Sequence, residues 1–308
     1  MKNVTGRGAA VVRSLLVLLL LAPLGACNDA VSPSTARLTL SFSKLEPLAN
    51  GFHYEGWAVL PTGPVSTGKF NVNSSGAITT LAGALIANGE FTPKTNISGA
   101  TAIVITIEPA GDNDAIPANS KLLGGAVASG SATLAVSAPQ ALGSTFASAA
   151  GKYTLATPTD GMNNNELSGL WFLELVGGAP VVSLVLPTLP VGWIYEGWAV
   201  ISGKPVTTGT FSSASGADAS KPYSGPQGAP PFPGEDFLLN APTGLTFPTN
   251  LSGGTAVVTV EPVPDDSPLP FTLKPLLGAI PANALDHIAY AMGLNLTSFP
   301  AGSAVIRQ

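Results

Sequence analysis

Apolar and polar residues alternate with a period of two through much of this chain, in short runs bounded by proline, glycine, asparagine and serine. Arg37 to Ser43 sets Leu38, Leu40 and Phe42 on one face and Thr39, Ser41 and Ser43 on the other, the pattern of a half-buried strand. Tyr54 to Leu60 predicts the next strand, stopped by Pro61-Thr62-Gly63-Pro64, where the prolines fix φ and remove donors. Gly68 to Val72 predicts its hairpin partner. Thr101 to Glu108 is nearly continuous in β-branched residues, which predicts a central strand, and Pro109 ends it. Two short stretches predict helices: Pro139 to Ala150, and Asn283 to Leu294, where Leu285, Ile288, Ala289 and Met292 fall at helical spacing.

The pattern occurs twice. Tyr54-Glu-Gly-Trp-Ala-Val59 returns as Tyr195-Glu-Gly-Trp-Ala-Val200, displaced by 141 residues, and Pro64-Val65, Thr67-Gly68 and Phe70 return as Pro205-Val206, Thr208-Gly209 and Phe211. Ser98 to Pro109 returns as Ser252 to Pro262, and Leu122-Leu123-Gly124 as Leu276-Leu277-Gly278, so the second copy carries an insertion, visible as the proline- and glycine-rich stretch Ser220 to Gly234. Val181 to Leu186 is the expected counterpart of Arg37 to Ser43. Each copy has the size of one domain, and the period is too long for a solenoid array. The expected fold is mainly β: two tandem antiparallel β-sandwich (Ig-like) domains with short helices, over residues 37–170 and 171–308.

Composition narrows the class. Lys2, Arg7 and Arg13 precede an apolar run from Leu15 to Leu24, which has the length of a signal-peptide core and ends in Leu24-Gly25-Ala26-Cys27. This resembles the lipobox of bacterial lipoproteins, which implies a signal peptide over 1–26, lipidation of Cys27, a tether over 27–36, and attachment to a membrane outside the cytoplasm, cell membrane or outer membrane. Cys27 is the only cysteine, so no disulfide or thiolate metal site is expected. Loss of the three basic residues lowers the net charge from −5 to −8, which argues against a nucleic-acid partner.

The landmarks also resemble a family. Tyr54 and Trp57, then Gly63-Pro64-Val65, Gly68 and Phe70, then Thr101 to Pro109, Gly111 and Leu122 to Gly124, look like the extracytoplasmic C-terminal domain of anti-sigma-K factors; the second copy repeats most of them, with Lys204 standing before Pro205 in place of the glycine. The resemblance implies two anti-sigma-K-like β domains outside the membrane. In that family a separate N-terminal cytoplasmic domain sequesters the sigma factor. Only 13 or so residues precede the apolar run here, so fold and location, not sigma binding, are the expected inheritance.

Glu55 shares a strand face with Trp57 and Val59, and Glu196 with Trp198 and Val200, so each glutamate must be hydrogen-bonded or paired if the face is covered. Backbone N–H groups of a neighbouring loop are the expected partners, with ligand binding and a solvated edge as alternatives. Glu108 with Asp112 and Asp114, and Glu261 with Asp265 and Asp266, offer oxygen ligands for calcium, though not at EF-hand spacing. The two histidines, His53 and His287, are not repeated; His287 beside Asp286 is the one hint of a catalytic triad. The expectation is a non-catalytic binding or envelope-sensing module with no cofactor and no metal, its candidate residues Glu55, Trp57, Glu108, Glu196, Trp198 and Glu261. It would be tethered through Cys27 and engage an envelope protein or ligand still to be identified. The alternative is an extracytoplasmic hydrolase or carbohydrate-binding protein that uses the cleft between the copies.

Overall fold

The computed structural model describes residues 36–307. The period-two runs form strands as expected: β1 (Arg37–Ser43), β2 (His53–Leu60), β3 (Gly63–Val72), β4 (Ile78–Thr79), β5 (Glu90–Phe91), β6 (Ala102–Glu108), β7 (Lys121–Ala126) and β8 (Ser131–Ala135). Next come β9 (Gly151–Leu155), β10 (Gly169–Trp171), β11 (Leu173–Val176), β12 (Ala179–Val182), β13 (Trp193–Ile201) and β14 (Lys204–Phe211). The chain ends with β15 (Gly234–Asp236), β16 (Thr255–Pro262), β17 (Leu276–Ala279), β18 (Ala289–Leu294) and β19 (Ala301–Arg307). All pairings are antiparallel. The protein is thus mainly β. No described helix is long and apolar enough to cross a membrane.

Two large sheets carry the same design. The first runs β4-β3-β2-β6-β7-β8-β19-β1-β5 and the second β14-β13-β16-β17-β18-β9-β10-β15. Apart from the extra edge strand β4, the two orders match position for position, and the strand that closes each copy lies in the other copy's sheet. β9 pairs with β18 and β10 in the second sheet, while β19 pairs with β8 and β1 in the first. The two ends of each sheet approach one another: Phe70 of β3, next to the short edge strand β4, has its ring centroid 5.6 Å from that of Phe91 of β5, and beside β15 the Ala219 N–H donates to the Thr210 carbonyl of β14 at 2.8 Å. One continuous apolar core runs through both sheets, from Leu38, Leu40, Ile105 and Leu134 to Tyr153, Val258, Leu276 and Ala304.

Loop contacts between the halves are reciprocal. Ahead of β2, the Ala49 N–H donates to Asp266 Oδ2 at 2.9 Å and Glu46 accepts from the Thr272 N–H at 3.1 Å; ahead of β13, the Gly192 carbonyl accepts from Ser120 Oγ at 3.3 Å. The tyrosines of the repeated motif anchor these loops in the same way, Tyr54 donating to the Glu46 carbonyl at 2.8 Å and Tyr195 to the Pro187 carbonyl at 2.6 Å.

The repeated Glu-Gly-Trp and Thr-Gly strings encode a bulge. Register slips between Gly56 and Trp57 against β3, and between Gly197 and Trp198 against β14, leaving Thr67 and Thr208 as the extra residues. A Cβ on Gly56 would lie 2.4 Å from Thr67 Oγ1, and one on Gly197 2.3 Å from Thr208 Oγ1. Gly68 and Gly209, at φ +137° and +111°, hold a backbone that side chains rarely adopt.

Three expectations are corrected. Neither predicted helix forms: Ala289 to Leu294 is strand β18, held between β17 and β9, and Pro139 to Ala150 is turns, with Gly143 and Phe146 at positive φ. The counterpart of β1 is β10, not Val181 to Leu186. β10 takes the place of β1 in the sheet order, and Phe172, immediately after it, packs on Gly197 as Leu40 packs on Gly56. Val181 and Val182 belong instead to β12, part of a hairpin with β11 that the first copy lacks. Finally, the sheets do not divide at 170/171, because β9 and β10 belong to the second sheet and β19 to the first.

Candidate functional site

The candidate residues of the two copies form one hydrogen-bond network, drawn twice. Trp57 Nε1 donates to Thr106 Oγ1 at 2.9 Å, and Trp198 Nε1 to Thr259 Oγ1 at 2.9 Å. Ser66 donates its hydroxyl to Glu55 Oε1, and Thr207 donates to Glu196 Oε1 at 2.5 Å. Glu108 accepts from the Thr106 hydroxyl and from the Ala118 N–H at 3.0 Å; Glu261 accepts from the Phe271 N–H at 3.0 Å, with Thr259 again beside it. All six candidates are buried. The expected backbone N–H partners thus serve Glu108 and Glu261, whereas Glu55 and Glu196 are held by hydroxyls of the adjacent hairpin strand. A strand places i and i+2 on one face, which gathers Glu55 with Trp57, and β6 brings Thr106 and Glu108 beneath them.

The copies differ in charge. In the first, Lys69 of β3 lies directly across from Glu55, with Nζ 3.8 Å from Glu55 Oε2 and 3.3 Å from Asp112 Oδ2, and His53 precedes Glu55 on the same face. The second copy has Thr210 and Ile194 at these two positions. Burial raises Glu55 above its ordinary value, opposed by the Ser66 bond and Lys69. Glu196, without a lysine, is pushed by burial up to about 7, and Glu261 up to about 8. At neutral pH the second network therefore holds a substantial share of carboxylic acid, not carboxylate.

A further group of acids, undetected in the sequence, surrounds Trp171. Asp236 accepts from Trp171 Nε1 and the Thr159 N–H, both at 2.8 Å; Glu235 accepts from the Ser224 hydroxyl and the Asp236 N–H at 3.1 Å; Asp218 accepts from the Gly234 N–H at 2.8 Å. Lys221 lies 3.6 Å from Asp218 and 4.4 Å over the Trp171 ring. Burial raises all three acids, Glu235 to about 7 and Asp218 to about 6. The sequence signal was the insertion itself: Lys221, Tyr223 and Phe232 fold over Trp171 and Phe237 and pin the segment down.

Beside Trp171 opens a groove of about 200 Å³ lined by Thr154, Pro158, Leu173, Leu175, Pro180 and His287 among others. It exists because of the strand exchange, which carries Thr154 and the residues after β9 into the second sheet. The Thr154 hydroxyl is bound to the Leu173 carbonyl at 2.9 Å. Both nitrogens of His287 face carboxylates, Nδ1 at 3.5 Å from Asp286 and Nε2 at 4.0 Å from Glu166.

The acids grouped for calcium do not converge. Asp114 accepts from the Ile116 N–H at 2.7 Å and Asp265 from the Ser267 N–H at 3.1 Å, each serving its own turn, while Asp266 accepts from the Ala49 N–H across the halves. Cys27 lies outside the described residues. Fold and sites define a mainly antiparallel β protein in which one strand arrangement and one buried network occur twice. No protein-family model matches the chain, and no curated protein or solved structure matches it.

Proposed function

We propose that this chain is a lipid-anchored, extracytoplasmic, non-catalytic binding or envelope-sensing module, with the anti-sigma-K-like unit duplicated. The observation that carries the reading is the internal use of the repeated carboxylates: in both copies Oε1 of Glu55/Glu196 accepts a hydroxyl hydrogen bond, and Oε1 of Glu108/Glu261 a backbone one, within the fold. An oxygen engaged in this way supports structure. The Trp171 groove, by contrast, occurs once, and its apolar lining with a histidine at the side suits an apolar side chain of an envelope partner. Attachment through Cys27 rests on the lipobox residues.

A photoactivatable residue at Leu175, irradiated in intact cells, tests this reading, with the same residue at the exposed Leu85 of the first sheet as reference and the Cys27→Ser chain as the unanchored control. The expected result is a discrete adduct from Leu175, absent from Leu85 and lost with the anchor. Equal labelling from both positions, or none from either, would contradict it.

A further inference from the structure

We propose that His53, Glu55 and Asp112 of the first copy bind one divalent transition-metal ion of the class that Zn²⁺ represents. One ring nitrogen of His53 and one carboxylate oxygen from each acid lie within 4.8 Å of one another, close enough to share an ion. Two of these side chains hold buried atoms with no hydrogen-bond partner: His53 Nε2 and Glu55 Oε2, in residues 3% and 1% exposed, the carboxylate oxygen having only the Lys69 ammonium 3.8 Å away. Buried polar atoms are almost always satisfied, so two orphans in one cluster mark a missing partner. His53 Nδ1 faces the Gly51 carbonyl at 3.5 Å. That contact favours hydrogen on Nδ1 and leaves the lone pair on Nε2, the arrangement in which a metal-ligating histidine donates its other N–H to a carbonyl. One imidazole and two carboxylates suit Zn²⁺, with a fourth position left open.

Lys69 shows that the site favours a cation and also competes for it. Its ammonium donates to the Asp112 carbonyl at 2.5 Å and stands near both carboxylates, so the side chain, 24% exposed, has to turn outward for the ion to enter. The second copy is a natural comparison. It has Glu196 and Asp265, but Ile194 and Thr210 stand where the first copy has His53 and Lys69. Bound metal would tie β2 to the Pro109–Ser120 loop, which packs on Gly192 of the other half.

Calorimetric titration of Zn²⁺ into the full chain, purified in detergent, stripped with chelator and carrying His287→Ala to remove the exposed imidazole, tests the site. One ion per chain is expected. His53→Ile, and separately the isosteric Glu55→Gln, should weaken binding by more than the roughly 10–100-fold that loss of an outer-shell partner costs. Lys69→Thr should tighten it. No saturable binding, binding unchanged by both ligand substitutions, or weaker binding in Lys69→Thr would overturn the proposal.

Discussion

Single residues in this fold are constrained by what the bulge and the burial demand. Gly56 is glycine because Thr67 of the facing bulge occupies the place of a Cβ. Gly56→Ala is expected to destabilise the protein by about 1–3 kcal/mol, as overpacked sites do, and Thr67→Ala in the same chain should recover most of the loss, since the two atoms clash directly. Denaturant titration of the two single variants and the double gives the coupling. Glu196 and Glu261 set a dependence on pH. Their folded values of about 7 and about 8 lie above the ordinary 4.5, so between 4.5 and 8 the folded state binds more protons than the unfolded chain. Their stabilising contribution is complete below about 4.5 and is lost as pH rises through 7 to 8. The midpoint of thermal unfolding should therefore fall from pH 5 to pH 8, and Glu261→Gln should flatten part of that slope. A midpoint that rises over this range would contradict the assignment.

At the scale of elements, legibility followed locality. β1, β2 and β6 could be read because their alternation, β-branched content and bounding prolines are local properties. β18 could not: Leu285, Ile288, Ala289 and Met292 fall at helical spacing, yet Leu285 and Ile288 are exposed at 66% and 48%, and pairing with β9 and β17 fixes the segment as a strand. Val181 to Leu186 resembled β1 in alternation, but the sheet position went to β10, only three residues long and without a period of its own. The buried network was half legible. The shared face of Glu55 and Trp57 followed from the period, while the hydroxyl partners Ser66 and Thr207 depended on the bulge register. The exchange of β9 and β19 has no local signature at all. It nevertheless makes a strong demand: β19 separates β8 from β1, so deleting Ala301 to Arg307 exposes two long edges. Size-exclusion chromatography of that truncation is expected to show aggregate; a monomer with unchanged far-ultraviolet dichroism would refute the pairing.

For the whole molecule, the duplication is a record of descent more than a division into parts. Through residues 36–307 the apolar core is continuous, and each half completes the other's sheet. The Trp171 groove depends on this union, because Thr154 and Pro158 come from the first copy's tail and Leu173, Leu175 and His287 from the second copy. Two independent sandwiches would have no such groove. Differential scanning calorimetry of the full chain is the most direct test. The account predicts a single transition in which calorimetric and van't Hoff enthalpies agree. Two separable transitions, one for each repeat, would contradict it and would remove the basis for the groove.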